Sequence, residues 1–259
     1  MFQAIDRKGY RAFRSASLDP KTKVVSVDVF DTLLLRTTKP ETARFLEIGK
    51  RQLRILHHHG ALARLTGHDL FILRLMAARA AYRNAPDIDG IREANYESIA
   101  SIMLSASGVR PSDELIGKML HEELHYESGV LVPNRMLVRI LKDAKKAGKR
   151  VICISDMYLR ADHIRSLIQL SGIDFIDTVY SSADFGYGKS SRRLFKKVLE
   201  IEGVNETQLS HCGDNAVSDF KAAVELGIKA FHVPRGLHWR VTERVRKRLF
   251  SFRHGLNSI

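Results

Sequence analysis

Asp28 is the side chain best placed for chemistry, near the end of the run Val24-Val25-Ser26-Val27-Asp28-Val29-Phe30-Asp31-Thr32. Val24, Val25 and Val27 are β-branched and favour a strand buried on both faces. Asp28 follows where a central parallel strand would end, and ligands of open α/β sheets collect at the carboxyl ends of strands. A carboxylate held there can attack phosphorus or carbon and form a covalent intermediate. Taken alone, an Asp and a Thr four apart also describe a strand followed by an Asx-type turn.

Three other patterns invite a chemical reading and lose it. His121-Glu122-Glu123-Leu124-His125 matches the zinc-binding H-E-x-x-H. The metzincin continuation needs a third His at a position that is Leu131, so a polar helix face is expected instead. His57-His58-His59 falls near a helix end. Successive side chains there splay by about 100°, which suits solvation better than joint metal ligation. Gly188-Lys189-Ser190 has the end of a P-loop, but the first glycine of that loop would fall on Ala183.

The elements that must position Asp28 alternate between strand and helix. Val151-Ile152-Cys153-Ile154 is a second buried strand ending at Ser155-Asp156. Thr178-Val179-Tyr180, Leu209 to Cys212 ending at Gly213-Asp214, and Ile228 to Val233 follow. Helical spacing separates them: Met136, Leu137, Ile140, Leu141 and Ala144 before Gly148; Ile164 to Leu170; Leu194, Phe195, Val198 and Leu199; Phe220, Ala223 and Val224 before Gly227. Such alternation implies right-handed crossovers and a parallel sheet, with Asp28, Ser155 and Asp214 on one rim. From Glu41 to Glu127 the spacing is helical only, as in Phe45, Ile48, Leu53 and Leu56, then Phe71, Leu75, Ala78 and Tyr82, then Ile116, Leu120 and Leu124. The expected fold is therefore a doubly wound, Rossmann-like α/β core over residues 1–36 and 130–235. An all-helical insert spans 37–129 and a basic amphipathic tail spans 236–259.

Composition narrows the function classes. With 259 residues and 44% hydrophobic content, the chain can bury one large core or two small ones. No run approaches the roughly 18 apolar residues of a membrane span. The first residues carry Arg7, Lys8, Arg11 and Arg14 without an apolar block, so a cytoplasmic protein is expected. Cys153 and Cys212 sit inside expected core strands, which suits reduced, buried thiols. Of the net charge of +13, residues 1–23 hold +4 and residues 235–259 hold +6, leaving +3 for the body. The basic character belongs to the ends, so no nucleic-acid groove is expected across the fold. In the tail, Val241, Val245, Leu249 and Phe252 form an apolar stripe among Arg240, Arg244, Lys247 and Arg248. That stripe either packs on its own protein or makes a membrane-surface or protein contact through residues 239–253.

Taken in order, these residues resemble the haloacid dehalogenase (HAD) superfamily of phosphatases, phosphotransferases and dehalogenases. Its four motifs look like Asp28 to Thr32, the strand ending in Ser155, Lys189 within Gly186-Tyr187-Gly188-Lys189-Ser190-Ser191, and Gly213-Asp214-Asn215-Ala216-Val217-Ser218-Asp219. The resemblance covers residues 22–36 and 131–234, and it makes the insert a helical cap that closes over the site. It implies Asp28 as nucleophile, with Mg²⁺ held by Asp28, the backbone carbonyl of Phe30, Asp214 and Asp219. It assigns phosphoryl contacts to Thr32, Ser155, Asp156 and Lys189. Transfer of a phosphoryl group is mostly positioning and electrostatics, which fits a lysine and a hard cation around one carboxylate. The implied substrate is a small phosphorylated metabolite, such as a sugar phosphate.

One position departs from the pattern. Phosphatases of the superfamily carry a second Asp two residues after the nucleophile as acid/base, and here that residue is Phe30. Asp31, one residue later, is the candidate replacement. An aromatic at this position also resembles the dehalogenases, whereas the two acids Asp214 and Asp219 suit a divalent metal that dehalogenation does not need. The sequences around Asp28 and Ser155 look most like a little-characterised branch of predicted hydrolases associated with surface-polysaccharide synthesis. The competing expectation, favoured by Phe30, is a catalytically impaired module that binds a phosphorylated ligand or a partner.

Overall fold

The computed structural model describes residues 7–60 and 64–256. Its strands are β1 (Val24–Val27), β2 (Leu34–Leu35), β3 (Val132–Pro133), β4 (Arg150–Ser155), β5 (Thr178–Ser181), β6 (Leu209–Gly213) and β7 (Lys229–His232). Five of them form one sheet in the order β5-β4-β1-β6-β7, parallel throughout. The helices are α1 (Arg7–Ser17), α2 (Glu41–His58), α3 (Gly67–Asn84), α4 (Tyr96–Ala106), α5 (Asp113–Val130), α6 (Arg135–Lys146), α7 (Ala161–Leu170), α8 (Ser182–Phe185), α9 (Arg193–Glu202), α10 (Ala222–Val224) and α11 (Leu237–Arg253).

The strand order fixes where a ligand can sit. From β1 the chain steps outward to β4 and β5, then returns across β1 to β6 and continues to β7. The direction reverses between β1 and β6, and in doubly wound sheets the crevice at such a switch point is the ligand site. Asp28 follows β1 and Asp214 follows β6, so the two carboxylates flank that crevice.

The sheet is covered on both faces. On one, Leu194, Phe195 and Val198 of α9 pack with Ile152, Ile154 and Tyr180. On the other, the Phe13 ring of α1 meets Phe231 of β7 at 5.7 Å. Burial on both faces explains the near-continuous apolar strands. The exceptions point inward too: Ser26 and His211 are fully buried, and the Ser26 hydroxyl lies 2.8 Å from His211 Nδ1. The polar first helix α1 and the antiparallel pair β2–β3 were not legible as elements in the sequence. Cys153 and Cys212 are free, buried thiols.

Two compact units divide the chain. One comprises Met1–Arg36, Pro86–Glu93 and Leu131–Gly236; the other comprises Thr37–Ala85, Ala94–Val130 and Leu237–Ile259. Pro86–Glu93, within the expected insert, thus belongs with the sheet, and α11 belongs with the helices rather than forming a separate tail. The second unit has a polar interior in which Arg74 pairs with Glu123 at 3.2 Å and Arg44 pairs with Glu127, all four buried. Such pairs persist only when geometry and hydrogen bonds offset desolvation. Glu123 is the middle residue of the H-E-x-x-H match; His121 and His125 point to solvent.

Candidate active site

Strand β1 delivers Asp28 into the crevice. The Asp28 amide donates to the Cys212 carbonyl at 2.9 Å, continuing the ladder one residue past the strand. The chain then turns sharply, with Leu33 and Leu34 amides both donating to the Val29 carbonyl at 2.9 and 2.8 Å. Asp31 takes the left-handed conformation, φ 61°, at the apex. Asp and Asn visit this region more readily than most residues, and such strain concentrates near functional sites.

The third-motif lysine is the centre of the charge network. Lys189 is 1% exposed, and its Nζ reaches Asp28 Oδ1 at 2.7 Å, Asp219 Oδ1 at 2.5 Å and the Ile154 carbonyl at 3.1 Å. Burial alone would lower its pKa, but Asp219, Asp28 and Asp156 together hold it above the ordinary lysine value. Burial pushes the Asp28 carboxyl up to about 8; Lys189 opposes this, while Asp219 and Asp214 add to it. Burial also acts on Asp219, yet Lys189 and His211 bring it below the usual carboxylate range. Beneath it, His211 Nε2 lies 3.5 Å from Asp219 Oδ1, and burial pushes this imidazole below its ordinary value.

The fourth motif supplies the facing carboxylates. After β6, Asn215 caps the next turn, its Oδ1 accepting from the amides of Val217 and Ser218 at 2.9 and 3.1 Å. A π-helical turn, Ala216–Lys221, then swings Asp219 back so that Oδ2 accepts from the Asn215 amide at 2.9 Å. π-turns are rare and frequent at functional sites. Ligand atoms of Asp28, Asp214 and Asp219 come within 4.8 Å of one another. Burial raises the Asp214 pKa to about 6, with the charges of Asp219 and Asp31 adding to it. A Cβ built on Gly213 would lie 2.2 Å from Asp219 Cγ, so only glycine fits there. Gly213→Ala is expected to displace Asp219 and destabilise the protein by about 1–3 kcal/mol. Thermal unfolding of the purified variant checks this, and an unchanged midpoint would contradict it.

Several expected residues make further contacts. Thr32, expected at a phosphoryl group, exchanges hydrogen bonds with Asp214: its hydroxyl donates to Oδ1 at 3.3 Å and accepts from the Asp214 amide at 3.1 Å. Asp156 Oδ1 accepts from the Lys189 amide at 2.9 Å and so holds the lysine's loop. Burial raises its pKa while Lys189 opposes. Ser155 ends β4 on the same rim and is buried. Asp31, the candidate replacement acid, pairs with two arginines. Its Oδ1 accepts from Arg235 at 2.7 Å and Oδ2 lies 3.5 Å from Arg36. The Arg36 guanidinium also sits 4.3 Å above the Phe30 ring, which is nearly buried.

Reading the sequence missed Arg36, Arg235, His211 and Glu93. None lies in a recognisable motif, and their roles arise from contacts across the chain. Glu93 and Asp156 flank Gly188, where an added Cβ would come 2.8 Å from Glu93 Oε1 and 3.1 Å from Asp156 Oδ1. Burial and the Asp156 charge lift Glu93 to about 7.

Comparisons with known proteins agree with this architecture. Glyceraldehyde 3-phosphate phosphatase of Methanocaldococcus jannaschii is 30% identical over 107 residues, 41% of this chain and 46% of that protein. The chain thus matches less than half the length of that curated relative. An L-2-haloacid dehalogenase structure aligns with a TM-score of 0.51 at 16% identity, covering 84% of this chain and 87% of that one. A defluorinating L-2-haloacid dehalogenase aligns with a TM-score of 0.51 at 15% identity, covering 82% of each chain. At these identities the likeness to both is one of fold. The profile of the haloacid dehalogenase-like hydrolases matches residues 92–233, more than half of the chain and three of the four motifs. With a doubly wound sheet that brings Asp28 to the other three, the chain belongs to the haloacid dehalogenase-like hydrolase family.

Proposed function

We propose that the protein is a Mg²⁺-dependent phosphohydrolase that works through a phosphorylated Asp28 on a small phosphorylated metabolite, such as a sugar phosphate. The observation that carries this is charge balance. Asp28, Asp156, Asp214 and Asp219 converge around one lysine, two of them buried and two half-buried, and carboxylates in such excess favour a further cation. Three of them present oxygen ligands within 4.8 Å of one another, a donor set suited to a hard divalent ion. Asp28, Asp214, Asp219 and the Phe30 backbone carbonyl would hold Mg²⁺, which when bound offsets negative charge on the phosphoryl oxygens and carboxylates. The phosphatase named among the relatives supports a phosphorylated carbohydrate-like substrate.

The residues then divide the work. An Asp28 oxygen forms a bond to phosphorus as the ester P–O bond breaks, and the departing oxygen takes a proton. Lys189 orients Asp28 and offsets charge on the transferring group. Water then attacks the phosphoaspartate, releasing phosphate and restoring Asp28. No carboxylate stands at position 30 to move these protons. Phe30→Asp is therefore expected to raise turnover by about 10²-fold. Because Arg36 sits over this ring, the same change should be made with and without Arg36→Gln. No gain in either background would mean that the proton already comes from elsewhere.

Phosphate release from sugar phosphates, nucleotides and an aryl phosphate, with Mg²⁺ or chelator, tests the reading. Metal-dependent release supports it. Phe30 favours a second reading, a module that binds a phosphorylated ligand without turnover. Tight binding with no release would establish that one instead.

A further inference from the structure

Helix α11 carries apolar residues on two opposite sides, and its own unit uses one of them. On the packed side, the Phe250 ring meets Phe71 of α3 edge-on at 5.9 Å, and Arg246 donates to the Thr38 hydroxyl at 2.5 Å. His254, one turn further, stacks on His68 at 5.4 Å. These residues recur every fourth position and mark one face of the helix.

The other side has no cover among the described residues. Leu237, Val241, Val245, Leu249 and Phe252 are all exposed, with Phe252 at 81%. At about 100° per residue, Val241 lies roughly 180° round the helix from Phe250, with Val245 and Phe252 beside it. Exposed apolar residues scattered singly need no explanation, whereas a continuous stripe marks an interaction surface. Arg244, Arg240 and Lys247 border this stripe on one side and Arg248 falls within it, and residues 235–259 carry seven Lys/Arg against the single acid Glu243.

We propose that α11 docks flat on an anionic lipid surface. In that pose the apolar stripe enters the headgroup boundary and the flanking arginines and lysine reach lipid phosphates. The convex face of a single helix, with an aromatic and aliphatic stripe that adjoins and includes cations, has the chemistry of an interfacial helix. Arginine and lysine stems can lie along the apolar surface while their heads stay with the phosphates. A second copy is disfavoured as the occupant, because it would bring the same cationic border against this one in a chain of net charge +13. No described helix is long and apolar enough to cross a membrane, so the contact is peripheral and salt-sensitive.

Sedimentation of the full chain with vesicles tests this. Binding is expected to equimolar phosphatidylserine and phosphatidylcholine, to fall with added salt, and to be absent with phosphatidylcholine alone. Replacing Arg240, Arg244 and Lys247 with Gln should weaken binding about fivefold for each charge removed. Val245→Glu with Leu249→Glu should abolish it while leaving thermal unfolding unchanged, since both residues are exposed. Failure to bind the mixed vesicles, or equal binding by the double Glu variant, would overturn the proposal. A dimer in analytical ultracentrifugation that the same double variant dissolves would assign the face to a second copy and overturn it as well.

Discussion

Asp28→Asn is expected to abolish phosphate release, lowering turnover by about 10⁴-fold or more. The amide cannot form the bond to phosphorus, so loss of the nucleophile removes both halves of the reaction. The variant should still fold. Asn keeps an oxygen where Asp28 Oδ1 now accepts from Lys189 at 2.7 Å, and the lysine retains Asp219 at 2.5 Å. Removing a carboxyl that burial has pushed up to about 8 also leaves no new unpaired charge. Steady-state release in Mg²⁺, with circular dichroism as a folding control, measures the effect. Turnover equal to wild type in a folded variant would sink Asp28 as nucleophile and the phosphoaspartate route with it.

Asp214→Asn is expected to shift stability in opposite directions with and without metal. Asp214 has a folded pKa near 6, above its ordinary 3.8. The folded state therefore binds the proton more tightly than the unfolded chain. The stability Asp214 contributes by that route is complete below pH 3.8 and is lost as pH rises through about 6. At pH 8 without metal the ionised carboxylate is disfavoured by burial and by the charges of Asp219 and Asp31, so the Asn variant should be more stable than wild type by about 1–2 kcal/mol, discounted for its partial exposure. With Mg²⁺ the order should reverse: a metal at a hundredfold its Kd stabilises the wild type by about 2.7 kcal/mol, and the variant lacks a ligand. Denaturant unfolding with chelator and with Mg²⁺, across pH 4 to 8, reads both effects. A wild type that Mg²⁺ does not stabilise would remove the cation from the site. A chelated variant no more stable than wild type at pH 8 would remove the carboxylate repulsion. The crowding that destabilises the ionised carboxylates is what would suit the cluster to a cation under the proposed reading, a trade of stability for function seen at many active sites.

Local pattern and order along the chain determined much of this protein. The β-branched and apolar runs at Val24–Val27 and Val151–Ile154 pointed to a buried parallel sheet, because a strand covered on both faces can be apolar at successive positions. The alternation of those strands with amphipathic helices implied crossovers that place every strand's carboxyl end on one rim. Asp28, Ser155 and Asp214 were therefore neighbours in prospect before any coordinate was known. The helical character of the second unit was equally legible from its spacing, although its buried Arg44–Glu127 and Arg74–Glu123 pairs were not. A charged residue in a helix reads as solvent-facing unless the partner on another helix is known.

Tertiary structure decided the rest, because hydrogen bonds and charges are shared between residues far apart in sequence. Thr32 tethers Asp214, 182 residues away. Asp31 pairs with Arg235, 204 residues away. The apolar side of α11 could be sorted into packed and open faces only once Phe71 was found against Phe250. Periodicity reports that a helix has an apolar side, since that is set by 3.6 residues per turn. Which neighbour covers that side depends on where the chain folds back, and the three-dimensional fold alone supplies that.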